Sequence, residues 1–275
     1  MPVKGKILWG LFGLILVLAL VDIGGEVWNW ENHRSGFWGF SLLLLPGVAV
    51  FFHSVWTLSF LKGLLLLFSG SLTGFIFERL GLKYGMIFGG RYVYNLQGAK
   101  FFEVPLAVVF YWAIFIYAGY CLTNSFLFWQ QKRKPGRKQG NACLLPFLVL
   151  TDGLAVVAID LFMDPLQVQA GSWAWLDKGV YFGVPAGNFF GWFLVVVIST
   201  GFFRTYEYFY PSSAGNELPT VPLIPVLAYG LLYLSFLVSA LRSGMTKLAL
   251  VGSLTMLPVV TASLFLFLRS KLIRD

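Results

Sequence analysis

Apolar residues run through this chain in long blocks, not in the alternation of a half-buried strand or the single stripe of a surface helix. A helix needs about 20 apolar residues to cross a bilayer core. Eight blocks approach that length: 7–23, 37–56, 57–77, 102–128, 142–163, 180–203, 222–241 and 246–270. The pattern predicts an all-α fold, a polytopic membrane helix bundle in which 1–275 form a single integral membrane domain with eight transmembrane helices. Seven is the alternative count, because only His53, Ser54 and Lys62 relieve the run across the second and third blocks. The first block follows Lys4 and Lys6 as a signal peptide would, yet its end, Asp22-Ile23-Gly24-Gly25-Glu26, lacks the small-residue cleavage pattern, so it reads as a span.

Composition supports the lipid bilayer as solvent. Only 12% of the 275 residues are charged, against about a quarter in a soluble domain, and the mean hydropathy is +0.77. The net charge of +8 does not imply nucleic acid, because the basic residues flank apolar blocks. They set topology instead. The most basic stretch, Gln130 to Lys138, belongs in the cytoplasm by the positive-inside rule, which puts both termini of a multi-pass cell-membrane protein inside. Arg204 then counts with the cytoplasmic cations, Glu207 and Glu217 face the cytoplasm as solvated acids, and Asp22, Glu26 and Glu31 fall in the first outer loop. Two cysteines, Cys121 and Cys143, allow no disulfide scaffold and read as small buried hydrophobes. His33 and His53 are too few for a histidine-rich metal site, and His53 reads as a satisfied bundle histidine.

Two segments share a pattern. Residues 90–112 contain Gly90-Arg91-Tyr92-Val93-Tyr94, Gly98, Val104-Pro105 and Phe110-Tyr111-Trp112. Residues 171–192 contain Gly171-Ser172-Trp173-Ala174-Trp175, Gly179, Val184-Pro185 and Phe190-Gly191-Trp192. Upstream of each, at nearly the same distance, an acid closes the preceding block: Glu78 in one, Asp160 in the other. This reads as a parallel internal repeat of helices 3-4 and 5-6, and sites form where such repeats meet. Both acids and both aromatic loops then lie toward the non-cytoplasmic face.

Ionisable residues inside a membrane are expensive and point to function. The fifth block carries Asp152, Asp160 and Asp164-Pro165. Asp160 and Asp164 share a helix face, whereas Asp152 is rotated about 80° from Asp160. Asp164 either joins the cluster or ends its helix, since a residue before proline disfavours the helical region. Asp152 either borders the same cavity or bonds a neighbouring helix. Glu78-Arg79 reads as a site acid or an interfacial ion pair, and Glu103 as a residue favouring a helix N-terminus. No phosphate loop, zinc helix or Asp-rich diphosphate motif is present, so the fitting substrate is apolar. A carboxyl in a low-dielectric pocket can stay protonated and protonate an alkene. The cation so formed is stabilised by aromatic faces, which Tyr92, Tyr94, Trp173, Trp175, Tyr181 and Trp192 would supply unless they form an interfacial belt.

These residues resemble a family. Glu78, the Gly-x-Tyr-x-Tyr of 90–94, Val104-Pro105, Asp160-x-x-x-Asp164-Pro165, Trp173-x-Trp175 and the run Tyr181-Phe182-Gly183-Val184-Pro185-x-x-Asn188-Phe189-x-Gly191-Trp192 are similar to the membrane carotenoid hydratases of the CruF type, over about residues 60 to 200. That group includes γ-carotene 1′,2′-hydratases and bisanhydrobacterioruberin hydratases. Two departures stand out: an extra residue in Phe88-Gly89-Gly90-Arg91-Tyr92, and Ala186-Gly187 where the family often has Leu-Ser. The resemblance implies hydration of the terminal C-1′,2′ double bond of an acyclic carotenoid end group, with no redox cofactor and no metal. Asp160 or Glu78 would give the proton, with the other carboxylate or Asp164 positioning water and Asn188 holding the water or the new hydroxyl. The implied partners are the carotenoid substrate, the bilayer and other enzymes of carotenoid biosynthesis. Rival readings are a membrane lycopene-type cyclase, a carotenoid-binding protein and a proton-coupled transporter.

Overall fold

Backbone polar groups in lipid must be satisfied within the chain, and helices do this segment by segment. The computed structural model describes residues 1–30, 36–133, 142–177, 179–211 and 220–272. Most of the basic stretch between the fourth and fifth blocks, together with Glu31, His33, Lys178, Glu217, Arg274 and Asp275, lies outside the described residues. The helices are α1 (Val3–Val27), α2 (Gly36–Thr57), α3 (Phe60–Tyr84), α4 (Leu106–Arg133), α5 (Leu145–Gln169), α6 (Ala186–Phe209), α7 (Leu223–Arg242) and α8 (Thr246–Leu272). Among the described residues, seven helices, α1 and α3 to α8, are long and apolar enough to cross a membrane, and α2 contributes a shorter apolar stretch, Leu44–Thr57. The chain is an all-α, multi-pass membrane protein.

The doubtful boundary between the second and third blocks is a true break. Ser59 has φ 99°, outside helical geometry, and α3 returns so closely that a Cβ on Gly63 would lie 2.8 Å from the backbone of Ser54 and Val55. At the first block the helix runs further than expected. Asp22 and Glu26 are not loop residues but belong to α1, where Asp22 is buried and Glu26 accepts a hydrogen bond from Ser239 Oγ at 2.7 Å. Of the cysteines, Cys121 is half-buried, while Cys143, expected inside, is exposed.

The repeat is visible in the fold. Helix α3 packs against α4 and α6, and α5 packs against α6 and α4, a ring that an exchange of the two helix pairs leaves unchanged. Strands β1 (Tyr92–Tyr94) and β4 (Trp173–Trp175) pair antiparallel, Tyr92 opposite Trp175, Val93 opposite Ala174 and Tyr94 opposite Trp173. That register is symmetric about Val93 and Ala174, as a two-fold relation between the motifs requires. Each copy then makes a tight two-residue turn ahead of its Val-Pro. Phe102 and Glu103 have φ 44° and 70° between β2 (Lys100–Phe101) and β3 (Val104–Pro105), and Phe182 and Gly183 have φ 50° and 86°. Glu103 is therefore a turn residue rather than the start of a helix, and it accepts a hydrogen bond from Arg79 at 2.5 Å.

The acids match differently from their sequence spacing. Seven residues, 85–91, separate α3 from β1, but three, 170–172, separate α5 from β4. The first connection is one helical turn longer, so Glu78 sits level with the segment around Asp164 rather than with Asp160.

Asp164 does not end its helix. Helix α5 continues through Pro165 to Gln169. Proline has no N–H for the carbonyl four residues back, and the hydroxyl of Tyr181 donates to that carbonyl, Leu161 O, at 2.7 Å.

Candidate functional site

Below the β1–β4 pair lies a cavity of about 330 Å3. Glu78 of α3, Asp160 and Asp164 of α5, and Asn188 of α6 line it, as do Tyr92, Tyr94, Trp173, Trp175 and Trp192. Nine of the residues singled out from the sequence thus share one chamber. Among the described residues, no lysine, arginine or histidine lines it. Tyr92, Trp175 and Trp192 are buried, which an interfacial belt would not be.

The carboxyls differ in how they are held. Glu78 accepts three hydrogen bonds, from Tyr92 OH at 2.7 Å, Tyr94 OH at 2.8 Å and Trp112 Nε1 at 3.1 Å. Burial and then the adjoining Glu78 carboxyl push both tyrosine hydroxyls well above their ordinary range, so they remain donors. Asp164 accepts from Trp173 Nε1. Asn188 Nδ2 donates to Asp160 Oδ2 and to Asp164 Oδ2, each at 2.7 Å, so its two N–H bonds tie the aspartates together. Asp160 Oδ1 is different: it is buried and has no hydrogen-bond partner among the described residues. A buried polar atom without a partner asks for an explanation, and here the atom belongs to a wall of the cavity.

Small residues make room for the large rings. A Cβ on Gly74 would lie 2.3 Å from Trp112 Cγ, and one on Gly191 would lie 2.4 Å from Phe88 Cδ1. Trp112 and Trp192, equivalent in the two repeats, meet with ring centroids 4.1 Å apart. Trp112 was not among the residues singled out, although its repeat mate Trp192 was. The Val-Pro spacing was the signal that pointed to it. Tyr111, beside Trp112 in the same run of the repeat, also lines the chamber, as do Gln167 and Phe115, which nothing in their sequence context marked.

Two predicted residues stand elsewhere. Tyr181 is outside the cavity, engaged at the Leu161 carbonyl. Asp152 lies two turns from Asp160 and is paired in both oxygens with Arg204, at 2.6 and 2.7 Å, both residues being buried. Arg204 also donates to Asn124 Oδ1 at 3.0 Å and lies 4.5 Å over the Tyr120 ring. Tyr120 in turn donates to the Glu207 carboxylate at 2.8 Å. Arg204, expected as a topology cation, is thus buried and neutralises Asp152, and Glu207, expected in solvent, is half-buried and joins the network through Tyr120. His53 is satisfied as expected, with Tyr117 OH at 2.5 Å and Val221 O at 3.1 Å.

No curated protein and no solved structure matches the chain. The sequence pattern of the carotenoid biosynthesis proteins matches it over residues 38–259, a span that holds every wall of the carboxyl-lined chamber and most of the helices. The chain belongs to the carotenoid biosynthesis protein family.

Proposed function

We propose that this protein hydrates the terminal C-1′,2′ double bond of an acyclic carotenoid end group to a tertiary alcohol. The observation that carries the reading is Asp160 Oδ1, a carboxyl oxygen with no partner among the described residues, in a chamber walled by aromatic rings. Three carboxyls share that chamber with no cationic side chain among the described residues that line it. An unpaired buried carboxylate is costly, so at least one of the three is neutralised by a proton, and the donors from Trp173 and Asn188 favour Asp164 as a carboxylate beside it. Glu78, with three donors aimed at it, is best held as the carboxylate, because hydrogen bonds to the charged form favour it. Asp160, with one donor and one open oxygen, carries the proton.

Asp160 transfers this proton to C-2′. The π electrons form the new C–H bond and leave a tertiary cation at C-1′. Faces of Trp112, Trp175 and Trp192 stabilise it, by about 2 kcal/mol or more for a desolvated ring, and the Glu78 carboxylate adds electrostatic stabilisation. Water forms the C–O bond and releases its extra proton to Asp164, which the Asn188 amide holds beside Asp160. Proton exchange with entering water returns the pair to its starting state.

Mass spectrometry of pigments from a lycopene-producing bacterial strain expressing the chain tests this. The expected product is heavier by one water, and Asp160→Asn lowers its yield at least about a hundredfold, the usual weight of a general acid. A cyclic product of unchanged mass would show that the polyene, not water, captures the cation. Wild-type conversion by Asp160→Asn would remove Asp160 from the acid role.

A further inference from the structure

A second cavity, of about 300 Å3, lies between α1, α2, α4 and α7. It shares three wall residues with the first: Tyr111, Phe115 and Leu232. These shared residues place the two cavities side by side: Tyr111 and Phe115 are stacked at 5.5 Å, and Phe115 lies 6.1 Å from Trp192 in the first chamber. Helix α5 borders both, with Ile159 on the second cavity and Asp160 on the first.

The second chamber presents hydrocarbon. Both ring nitrogens of His53 are engaged, the Tyr229 hydroxyl donates to Ala155 O at 2.8 Å, and Asp22 is engaged within the protein as well. Pockets for drug-sized ligands run to about 300–1,000 Å3, and a full carotenoid is longer than the first chamber can enclose.

We infer that the second cavity is a binding subsite for the polyene of the substrate whose end group occupies the first, with Tyr111, Phe115 and Leu232 forming the passage between them. This rests on the hydratase reading for the identity of the substrate. The subsite sets a requirement for chain length: a long polyene gains contacts there that a short isoprenoid with the same end group never makes.

The test fills the second chamber from two sides, with Ala118→Phe on α4 and Ala228→Phe on α7, neither of which lines the first. The purified full chain in lipid nanodiscs is given an acyclic carotene, or a short acyclic isoprenoid with the same terminal double bond. The inference expects carotene conversion to fall at least about tenfold in both variants, while conversion of the short substrate stays within about twofold of wild type, an overpacked subsite acting only on the ligand that enters it. Carotene retained per protein, read from its absorbance, falls in parallel. Equal loss on both substrates, or unchanged carotene conversion and retention, overturns it. If the wild type hydrates neither substrate the hydratase reading fails, and carotene retention still decides the subsite: lower in both variants supports it, equal to wild type overturns it.

Discussion

At the scale of single residues, the three carboxyls of the chamber are set apart by their donors. Glu78 has three, and Asp160 keeps one oxygen open. Glu78→Gln replaces an acceptor-only group by one with an N–H that faces the same three donors, so hydration should fall by about a hundredfold or more, with the protein still folded. Pigment analysis beside a thermal melt in detergent separates the two effects. Asp152→Asn should do the reverse. It leaves Arg204 buried without its counter-charge, which costs about 3–5 kcal/mol, so the melting temperature drops sharply while product per folded protein stays near wild type. Asp152 and Asp160 looked alike in the sequence, as carboxyls in one apolar run. Their difference lies in Arg204, 52 positions further on.

At the scale of elements, a proline and a pair of glycines shape the site. Tyr181→Phe leaves the Leu161 carbonyl without the partner that Pro165 cannot supply, at a cost of about 1–3 kcal/mol. That carbonyl lies within one turn of Asp164, and hydration should fall more than the melting temperature alone would explain. The two departures from the sequence pattern that the chain otherwise resembles are one contact: a Cβ on Gly187 would lie 2.5 Å from Gly89 Cα, and one on Gly89 would lie 2.7 Å from Gly187 Cα. The extra residue before β1 and the missing Ser side chain belong together, since two backbones touch there. Gly187→Ser should therefore destabilise this chain by about 1–3 kcal/mol, measured by thermal melting.

At the scale of the whole molecule, the two-fold relation of the repeats brings the carboxyls beneath a shared pair of strands. Outside the membrane a clasp ties the two copies, Arg91 of the first donating through its backbone N–H at 2.9 Å and its guanidinium at 3.1 and 3.2 Å to Asp177 after the second. Arg91 holds the Asp177 carboxyl below its ordinary value. A depressed carboxyl stabilises the fold at pH above its unfolded value, about 4, and that contribution disappears as pH falls through the lowered value. The difference in melting temperature between wild type and Asp177→Asn should be present near neutral pH and vanish in strong acid. Both members are exposed and the effect is small.

Hydropathy determined the helical class and the span limits to within about seven residues, because a helix in lipid needs only a local apolar run, and the pattern of residue types placed the acids and aromatics in a repeated motif. The repeat and the resemblance singled out nine residues that packing gathers around one chamber. Other features depended on contacts between distant segments. The four-residue difference between the α3–β1 and α5–β4 connections moved Glu78 level with the Asp164 segment, and Tyr181 allowed α5 to continue through Pro165. Arg204 took Asp152 out of the cluster, and α6 placed Asn188 between Asp160 and Asp164 while leaving one oxygen of Asp160 unmatched. Hydrogen-bond partners and charge neutralisation are set by which helices touch, and one-dimensional spacing does not contain that information.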